Sequence, residues 1–223
     1  MALWPHAFGL NVASGYTDQN GVFKNKLRIT DQLVLQQMEY ELVAQRSIEL
    51  ESGEIELEVS GFGLARQRVI HTHLFQDLYD WAGQVRTVPS SKRMSNGLVS
   101  RFAEPGRIVE EWQDLEKMTA TFIKNLDGSL EQMSDVLAEV FVKANQLHAF
   151  VEGNGRSLQV FMKQLALERG VSLDYSKVSP SEWNIASAVS GHHGRFFEHI
   201  HFMPSLSDSA PIKKIFSEIS SLI

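Results

Sequence analysis

The side chains best suited to catalysis in this chain lie close together, in the segment HAFVEGNGRSLQ from His148 to Gln159. Within it a histidine, a carboxylate and an arginine stand around an asparagine that is bracketed by two glycines. The apolar stripe of the preceding segment ends at Leu147, and a new helical pattern opens near Asn154. The segment therefore predicts a loop between two helices, in which a phosphate could be bound and a proton removed beside it.

The glycine-bracketed turn is suited to binding the phosphate. Gly153 and Gly155 allow backbone angles and a close approach that a side chain would forbid. The unpaired N–H groups of the turn and of the helix that opens at Asn154 would point at one anion, with the helix dipole behind them. Arg156 would add a forked donor to the same anion.

His148 and Glu152 supply the remaining chemistry. An imidazole with an unperturbed pKa of about 6.5 is a natural general base for an incoming hydroxyl group. A carboxylate oxygen of Glu152 suits Mg²⁺, which takes one or two carboxylates together with phosphate oxygens. Because no side chain of the segment has the character of a nucleophile, the residues alone predict nucleotidyl or phosphoryl transfer straight to an outside hydroxyl.

The composition of the 223 residues limits the other functions. With 43% hydrophobic and 22% charged side chains, the chain is globular in character and can bury a core. A net charge of −6 argues against nonspecific nucleic-acid binding, and the absence of cysteine excludes a thiol nucleophile. No apolar run approaches the roughly 20 residues of a membrane span, and no secretory signal is recognisable. A cytoplasmic protein without membrane or nucleic-acid partners is therefore expected, with export by a specialised secretion system as an open alternative.

Helical periodicity dominates the elements that must position this loop. After an irregular lead-in over residues 1–28, a helix starts that Thr30 or Asp31 would cap. The apolar spacing predicts further helices over 64–81, 106–124, 130–147, 154–170, 180–190, 194–202 and 211–222. Residues 85–105 differ, because short apolar runs flank a turn with Asn96-Gly97, a strong hairpin signal. The predicted fold class is an all-α helical bundle with one β-hairpin.

The loop resembles the signature of the Fic family, His-Pro-Phe-x-Asp/Glu-Gly-Asn-Gly-Arg-x-x-Arg, whose members usually transfer AMP from ATP to a protein hydroxyl. The matching positions are His148, Phe150, Glu152, Gly153, Asn154, Gly155 and Arg156. The resemblance implies that His148 is the catalytic base, that Glu152 holds Mg²⁺ and that Phe150 anchors the loop in the core. Residues 153–156 would then bind the phosphates of the co-substrate, ATP.

Two positions depart from that signature. Ala149 replaces the proline, and Gln159 replaces the second arginine. In the family this arginine meets the terminal phosphate of the nucleotide and also receives an inhibitory glutamate. A neutral amide keeps a hydrogen bond but loses the charge, so ATP could bind through Gln159 weakly or in another pose.

The resemblance extends over about residues 20–205. Residues 24–32 resemble the start of the small bacterial Fic toxins, and residues 71–88 resemble the helix that leads into the family's target-docking flap. The predicted hairpin falls where that flap covers the active site. By resemblance, an extended target segment would add as a strand along Ser91, Lys92, Arg93, Met94 and Ser95. The predicted organisation is a lead-in (1–28), a Fic domain (29–205) and a helical tail (206–223).

These features predict a protein adenylyltransferase that uses Mg²⁺ and ATP, with the toxin of a toxin–antitoxin pair as a candidate role. Two alternatives stay open: the site could transfer UMP, a phosphate or phosphocholine, or the loss of charge at Gln159 could leave a silent module that only docks peptides. Residues 47–52 nearly match the family's inhibitory motif, Ser/Thr-x-x-x-Glu-Gly/Asn, but lack its last position. A separate antitoxin that supplies the inhibitory helix is therefore the expected regulator.

Overall fold

The computed structural model describes residues 15–94, 97–125, 127–197 and 201–223. Its helices are α1 (Gln32–Glu51), α2 (Leu64–Phe75), α3 (Ile108–Lys124), α4 (Leu130–Leu147), α5 (Asn154–Leu167), α6 (Pro180–Val189) and α7 (Ala210–Ile219). Its strands are β1 (Ser91–Arg93), β2 (Val99–Arg101), β3 (Val171–Leu173), β4 (His193–Phe197), β5 (His201–Pro204) and β6 (Ser220–Leu222). The described fold is mostly helical, with small sheets, as the sequence predicts.

Helix α4 runs through the core and ends at the candidate loop. It begins at Leu130 because Ser129 and Gln132 form a capping box, in which each side chain accepts a hydrogen bond from the other's backbone N–H. One face is buried against α3, α5 and α7, which holds the end of the helix in place. The residues of that face include Met133, Leu137, Val140, Phe141, Ala144 and Leu147.

Helices α1 and α2 pack against each other and against α5. Asp31 caps α1 as predicted, since its carboxylate accepts hydrogen bonds from two backbone N–H groups of the first turn. The predicted helix over 64–81 is wrong beyond Phe75, where α2 ends. The helical ladder stops there because the Ala82 N–H donates to the Tyr79 carbonyl, only three residues back, and the Leu78 carbonyl accepts from the Lys26 N–H. Gly83 at φ 75° then turns the chain away.

The predicted hairpin is present as β1 and β2, and it is part of a larger sheet. Its register places Lys92 opposite Ser100. The strand order is β1-β2-β4-β5, with antiparallel neighbours throughout. Within the described residues β1 is thus an outer strand, while β2 is paired on both sides.

The helix predicted over 194–202 is wrong, because β4 and β5 occupy that segment on either side of residues 198–200, which lie outside the described residues. The two strands pair with Arg195 opposite Met203. Gly194 is a poor helix former, and aromatic residues favour strands. In addition, β2 offers backbone partners: the Arg101 N–H donates to the His192 carbonyl at 2.8 Å. This tertiary pairing overrides the local helical spacing.

The C-terminal residues pack onto the bundle. Helix α7 lies against α4, and β6 pairs with β3 with Ser220 opposite Leu173. The helix predicted over 211–222 therefore ends at Ile219, where β6 takes over. The division into 1–28, 29–205 and 206–223 stays a prediction. Among the residues that the structure describes, no helix is both long enough and apolar enough to cross a membrane.

Candidate functional site

His148 ends α4 in a left-handed backbone conformation, at φ 45° and ψ 62°. Its N–H still donates to the Ala144 carbonyl, so the residue closes the helix and turns the chain into the loop. Such a conformation is unusual for a residue with a side chain and persists where the surroundings fix it. Here the buried guanidinium of Arg86 does so, since its Nε donates to the His148 carbonyl at 2.7 Å and its Nη2 to the Leu147 carbonyl at 3.2 Å.

The imidazole of His148 is 8% exposed, and burial lowers its pKa well below the ordinary value of 6.5. The positive charges of Lys92 and Arg86 lower the pKa further, in that order. The ring is therefore neutral near pH 7, which is the form that a general base requires. The side chain predicted as the base thus has suitable protonation.

Asn154 and Phe150 fix the loop itself. The Asn154 side chain accepts a hydrogen bond from the Phe150 N–H and donates one to the Phe150 carbonyl, both at 2.8 Å. The Phe150 ring is fully buried, and its role as an anchor of the loop stays a prediction. Because the Asn154 amide is committed to the loop, a phosphate contact from this residue would have to come from its backbone N–H.

Positions 153 and 155 differ in whether they require glycine. Gly153 lies at φ 79°, and a Cβ there would stand 2.3 Å from the Phe75 ring, so both the backbone and the space demand glycine. At Gly155, by contrast, a Cβ would meet no described atom within 4 Å apart from its chain neighbours and the backbone of its own helix. The first turn of α5 is thus open at Gly155, where a ligand could approach the backbone closely.

His71 of α2 supports the loop through hydrogen bonds, a role that the sequence patterns do not reveal. Its Nε2–H donates to the Glu152 carbonyl, while its Nδ1 accepts from the Gly83 N–H, both at 2.9 Å. These partners assign the neutral tautomer with the proton on Nε2. The ring lies between Phe75 and Phe150, and burial lowers its pKa to about 4.

The Glu152 carboxylate could bind a metal ion only together with the phosphates of a nucleotide. Its carboxylate accepts a hydrogen bond from the Gly153 N–H at 2.9 Å and lies 3.5 Å from Arg156. No group of three or more histidine or acidic side chains suited to a metal is found among the described residues. A single, partly exposed carboxylate fits Mg²⁺ well when phosphates and water complete the coordination shell.

Arg156 is held by an acidic partner that the sequence analysis did not identify. Its Nη2 donates to Glu39 of α1 at 2.5 Å, and its guanidinium lies over the Phe75 ring at 4.9 Å. The other terminal nitrogen, Nη1, is buried and has no hydrogen-bond partner among the described residues. One donor of the fork thus lacks a partner within the described structure.

The flap, which is the hairpin of β1 and β2, places the positive charge of Lys92 near His148. Lys92 pairs with Ser100, and side chains two residues apart share a face of a strand, so Lys92 lies on the face of Ser100 and Phe102. Phe102 stacks on His148. Burial lowers the pKa of Lys92. The negative charge of Glu152 raises this pKa, and the positive charge of Arg156 lowers it. Of the other predicted docking positions, Ser91 and Met94 are partly buried, Arg93 is exposed, and Ser95 lies outside the described residues.

Gln159 lies in α5 one turn beyond Arg156 and is partly buried. Its side-chain amide makes no hydrogen bond to any residue that the structure describes. Glu51, from the near match to the inhibitory motif, does not reach it: its carboxylate accepts from Lys163 at 2.8 Å, a turn further along the same helix.

Comparisons with known proteins place the chain in a family. A family model described as the Fic/DOC family matches residues 63–166. The probable protein adenylyltransferase Fic of Escherichia coli strain K12 is 30% identical over 178 residues, or 74% of this chain and 78% of that protein. The protein adenylyltransferase VbhT of Bartonella schoenbuchensis is 35% identical over 179 residues, which are 78% of this chain but only 35% of that longer protein.

Solved structures give the same result for the fold. The N-terminal Fic domain of a Bartonella quintana effector with bound ADP superposes with a TM-score of 0.76 at 25% identity, covering 93% of this chain and 94% of that one. The BepC protein of Bartonella tribocorum with bound AMPPNP superposes with a TM-score of 0.74 at 23% identity, covering 93% and 97%.

Proposed function

The chain belongs to the Fic/DOC family, and from that premise we propose that it is a protein adenylyltransferase, which transfers AMP from ATP to a side-chain hydroxyl of a target protein. The observation that carries the proposal is the arrangement of His148. A buried, neutral imidazole at the end of α4 is joined by residues 149–153 to a glycine-bracketed helix start that also carries Arg156.

The reaction needs one base and one anion site. The target's hydroxyl oxygen forms a bond to the α-phosphorus of ATP, and the bond from that phosphorus to the bridging oxygen breaks. Pyrophosphate leaves with the bonding electrons, and the hydroxyl proton passes to neutral His148. The backbone N–H groups at the start of α5 and the Nη1 of Arg156 bind the phosphate oxygens. Glu152 would hold Mg²⁺, which when bound neutralises phosphate charge.

The target protein binds along β1 in this proposal. As an outer strand of the described sheet, β1 can accept an extended segment by strand addition, with main-chain hydrogen bonds that do not depend on the segment's sequence. Phe102, which follows β2, contacts His148 directly. A segment aligned on Ser91, Lys92, Arg93 and Met94 would therefore be held in a fixed position relative to the base.

One observation favours a second candidate, a catalytically silent docking module. Gln159 lacks the charge that the family's second arginine brings to the outer phosphates, so nucleotide could bind too weakly for turnover. The presence of His148 at the end of α4 and of a glycine-bracketed helix start beside it favours the enzyme instead.

An inhibitory partner follows from the same site. We propose that an antitoxin-like helix would act on Arg156 rather than on position 159, because the Gln159 amide cannot form a salt bridge with a glutamate. Such a glutamate would compete with Glu39 for the guanidinium. The proposal that this chain is the toxin of a toxin–antitoxin pair depends on the existence of such a partner.

Labelling decides between the enzyme and the silent module. Purified protein is incubated with Mg²⁺, ATP labelled on the α-phosphate and a bacterial lysate, after removal of any inhibitor that copurifies. We expect label on one or a few proteins, and at least about a hundredfold less with His148→Ala. Mass spectrometry then identifies AMP on the modified side chain. Label from γ-phosphate-labelled ATP, or none from either nucleotide, contradicts adenylyl transfer.

A further inference from the structure

Helix α1 contributes a buried acid to the phosphate site, although α1 lies outside the segment that the family model matches. The Glu39 side chain is 3% exposed, and one of its oxygens accepts from Arg156 Nη2 at 2.5 Å. The other oxygen accepts a hydrogen bond from the hydroxyl of Tyr79, which is itself buried. Three polar side chains from three separate parts of the chain thus form one continuous group.

The group is not explained by stability alone. Removing a carboxylate and a guanidinium from water costs several kcal/mol per ion, and well-packed apolar residues often do as well as a buried pair. Burial lowers the pKa of Arg156, but the charges of Glu39 and Glu152 more than offset this effect and raise the pKa. Burial, and then Glu39, raises the pKa of Tyr79. The arginine is thus charged and the phenol protonated near neutral pH. This is the state in which Tyr79 donates to Glu39 and Glu39 accepts from Arg156.

The geometry of Arg156 shows what the group does. Glu39 takes one terminal nitrogen of the fork, and the ring of Phe75 lies against the guanidinium at 4.9 Å. These contacts restrict the guanidinium, and the nitrogen left over is Nη1, which is buried without a described partner. Arg156 lies in the first turn of α5, whose N-terminal N–H groups form the anion site.

We propose that Glu39 and Tyr79 are positioning residues, which hold the Arg156 guanidinium so that its Nη1 donates to a phosphate of the bound nucleotide. This inference rests on the nucleotide site of the proposed function. A fork that is already oriented loses less conformational entropy when the phosphate binds. The opposite role, in which Glu39 competes with the phosphate for Arg156, makes the opposite prediction for affinity.

Calorimetric titration of Mg²⁺ and AMPPNP into the full chain tests the inference without relying on turnover. We expect Glu39→Ala to weaken binding by about tenfold or more, the scale of one hydrogen bond to a charged group. The nucleotide affinity of Glu39→Gln should lie between those of the wild type and of Glu39→Ala, because the amide oxygen can still accept a hydrogen bond from Arg156. Tyr79→Phe should weaken binding less than Glu39→Ala. Thermal unfolding of each variant shows how much of the chain remains folded at the titration temperature.

A double-mutant cycle separates positioning from a merely structural effect. If Glu39 acts through Arg156, then Glu39→Gln should change nucleotide affinity little in an Arg156→Gln background. A purely structural loss would weaken binding equally in both backgrounds and would overturn the inference. Glu51→Gln is the matched control, since it removes another α1 carboxylate that pairs with α5, through Lys163, away from the loop. We expect this control to keep wild-type affinity.

The outcomes distinguish the inference from the function on which it rests. Wild-type protein that binds no nucleotide contradicts both. Wild-type binding that is unchanged in Glu39→Ala overturns the inference alone. Tighter binding by Glu39→Ala also overturns it, since Glu39 would then obstruct the phosphate site.

Discussion

The imidazole of His148 lies flat against the phenyl ring of Phe102, with the ring centroids 3.6 Å apart and the planes 5° from parallel. Phe102 follows β2 directly, and its N–H donates to the Ser90 carbonyl on the other side of the hairpin. His148 and the flap are therefore in direct contact, so any movement at the foot of the hairpin shifts the ring that we propose as the general base.

Phe102→Leu tests this contact. A leucine fills part of the space but cannot hold the imidazole plane, and a small misplacement of a reacting group can cost up to about a hundredfold in rate. We expect the transfer rate to fall about 10- to 100-fold with nucleotide affinity unchanged. Initial rates and calorimetric titration measure the two effects. Phe102→Tyr, which keeps the ring, is the control, and wild-type turnover by Phe102→Leu would refute the proposed contact role.

The pH dependence of transfer tests Lys92. Its positive charge disfavours protonation of His148, so Lys92→Met should raise the pKa of the imidazole. Since only the neutral ring is a base, the acid limb of the rate profile should shift to higher pH. Rates between pH 5 and 8 are compared with those of Arg93→Met, an exposed neighbour on the other face of β1. Identical shifts in both variants would mean that general surface charge, rather than Lys92, sets the pKa.

Restoring the missing arginine tests the orientation of the nucleotide. If an outer phosphate reaches residue 159, Gln159→Arg adds a charge-assisted contact of roughly 1.5–3 kcal/mol, so ATP should bind at least about tenfold more tightly. Calorimetry with ATP and AMP separates outer-phosphate contacts from the rest, because only ATP should gain. Unchanged ATP affinity would show that the outer phosphates lie elsewhere, and would favour a different nucleotide pose or a silent module.

Acid should destabilise the protein through His71. Its pKa is lowered from 6.5 to about 4 in the folded state, so the unfolded chain binds more protons between these values. This histidine therefore contributes stability above pH 6.5, up to about 3 kcal/mol, which is lost as pH falls towards 4. Urea unfolding of wild type and His71→Gln should show a stability difference that narrows over this range. A difference that stays constant would mean that His71 does not titrate as described.

Sequence patterns predict those parts of the site that depend on neighbours along the chain. The capping and apolar stripe of α4 place His148, and the two glycines place the turn. Glu39 could not be found in this way, because it is separated by 117 residues from Arg156, and nothing local distinguishes it from exposed acids of the same helix such as Glu41. Sequence patterns do not single out His71 either, because its role depends on contact with a loop that is distant in the sequence.

The same limit explains the error over 194–202. Helical spacing of apolar residues is a local signal, whereas strand formation there depends on β2, almost a hundred residues earlier in the chain. The end of α2 was misplaced for a related reason. The Leu78 carbonyl bonds to the Lys26 N–H instead of to the next helical turn, and Gly83 is left-handed. The apolar spacing predicts neither feature.

The outer position of β1 also bears on self-association. In the part of the chain that the structure describes, β1 has a strand neighbour on one side alone, and such an edge can pair with an extended segment, including the same edge of a second copy. Two β1 strands aligned antiparallel would bring Lys92 and Arg93 of one copy close to the same cations of the other, and like charges facing each other across strands are destabilising. The two cations therefore discourage aggregation at this edge while a target of different charge can still dock there.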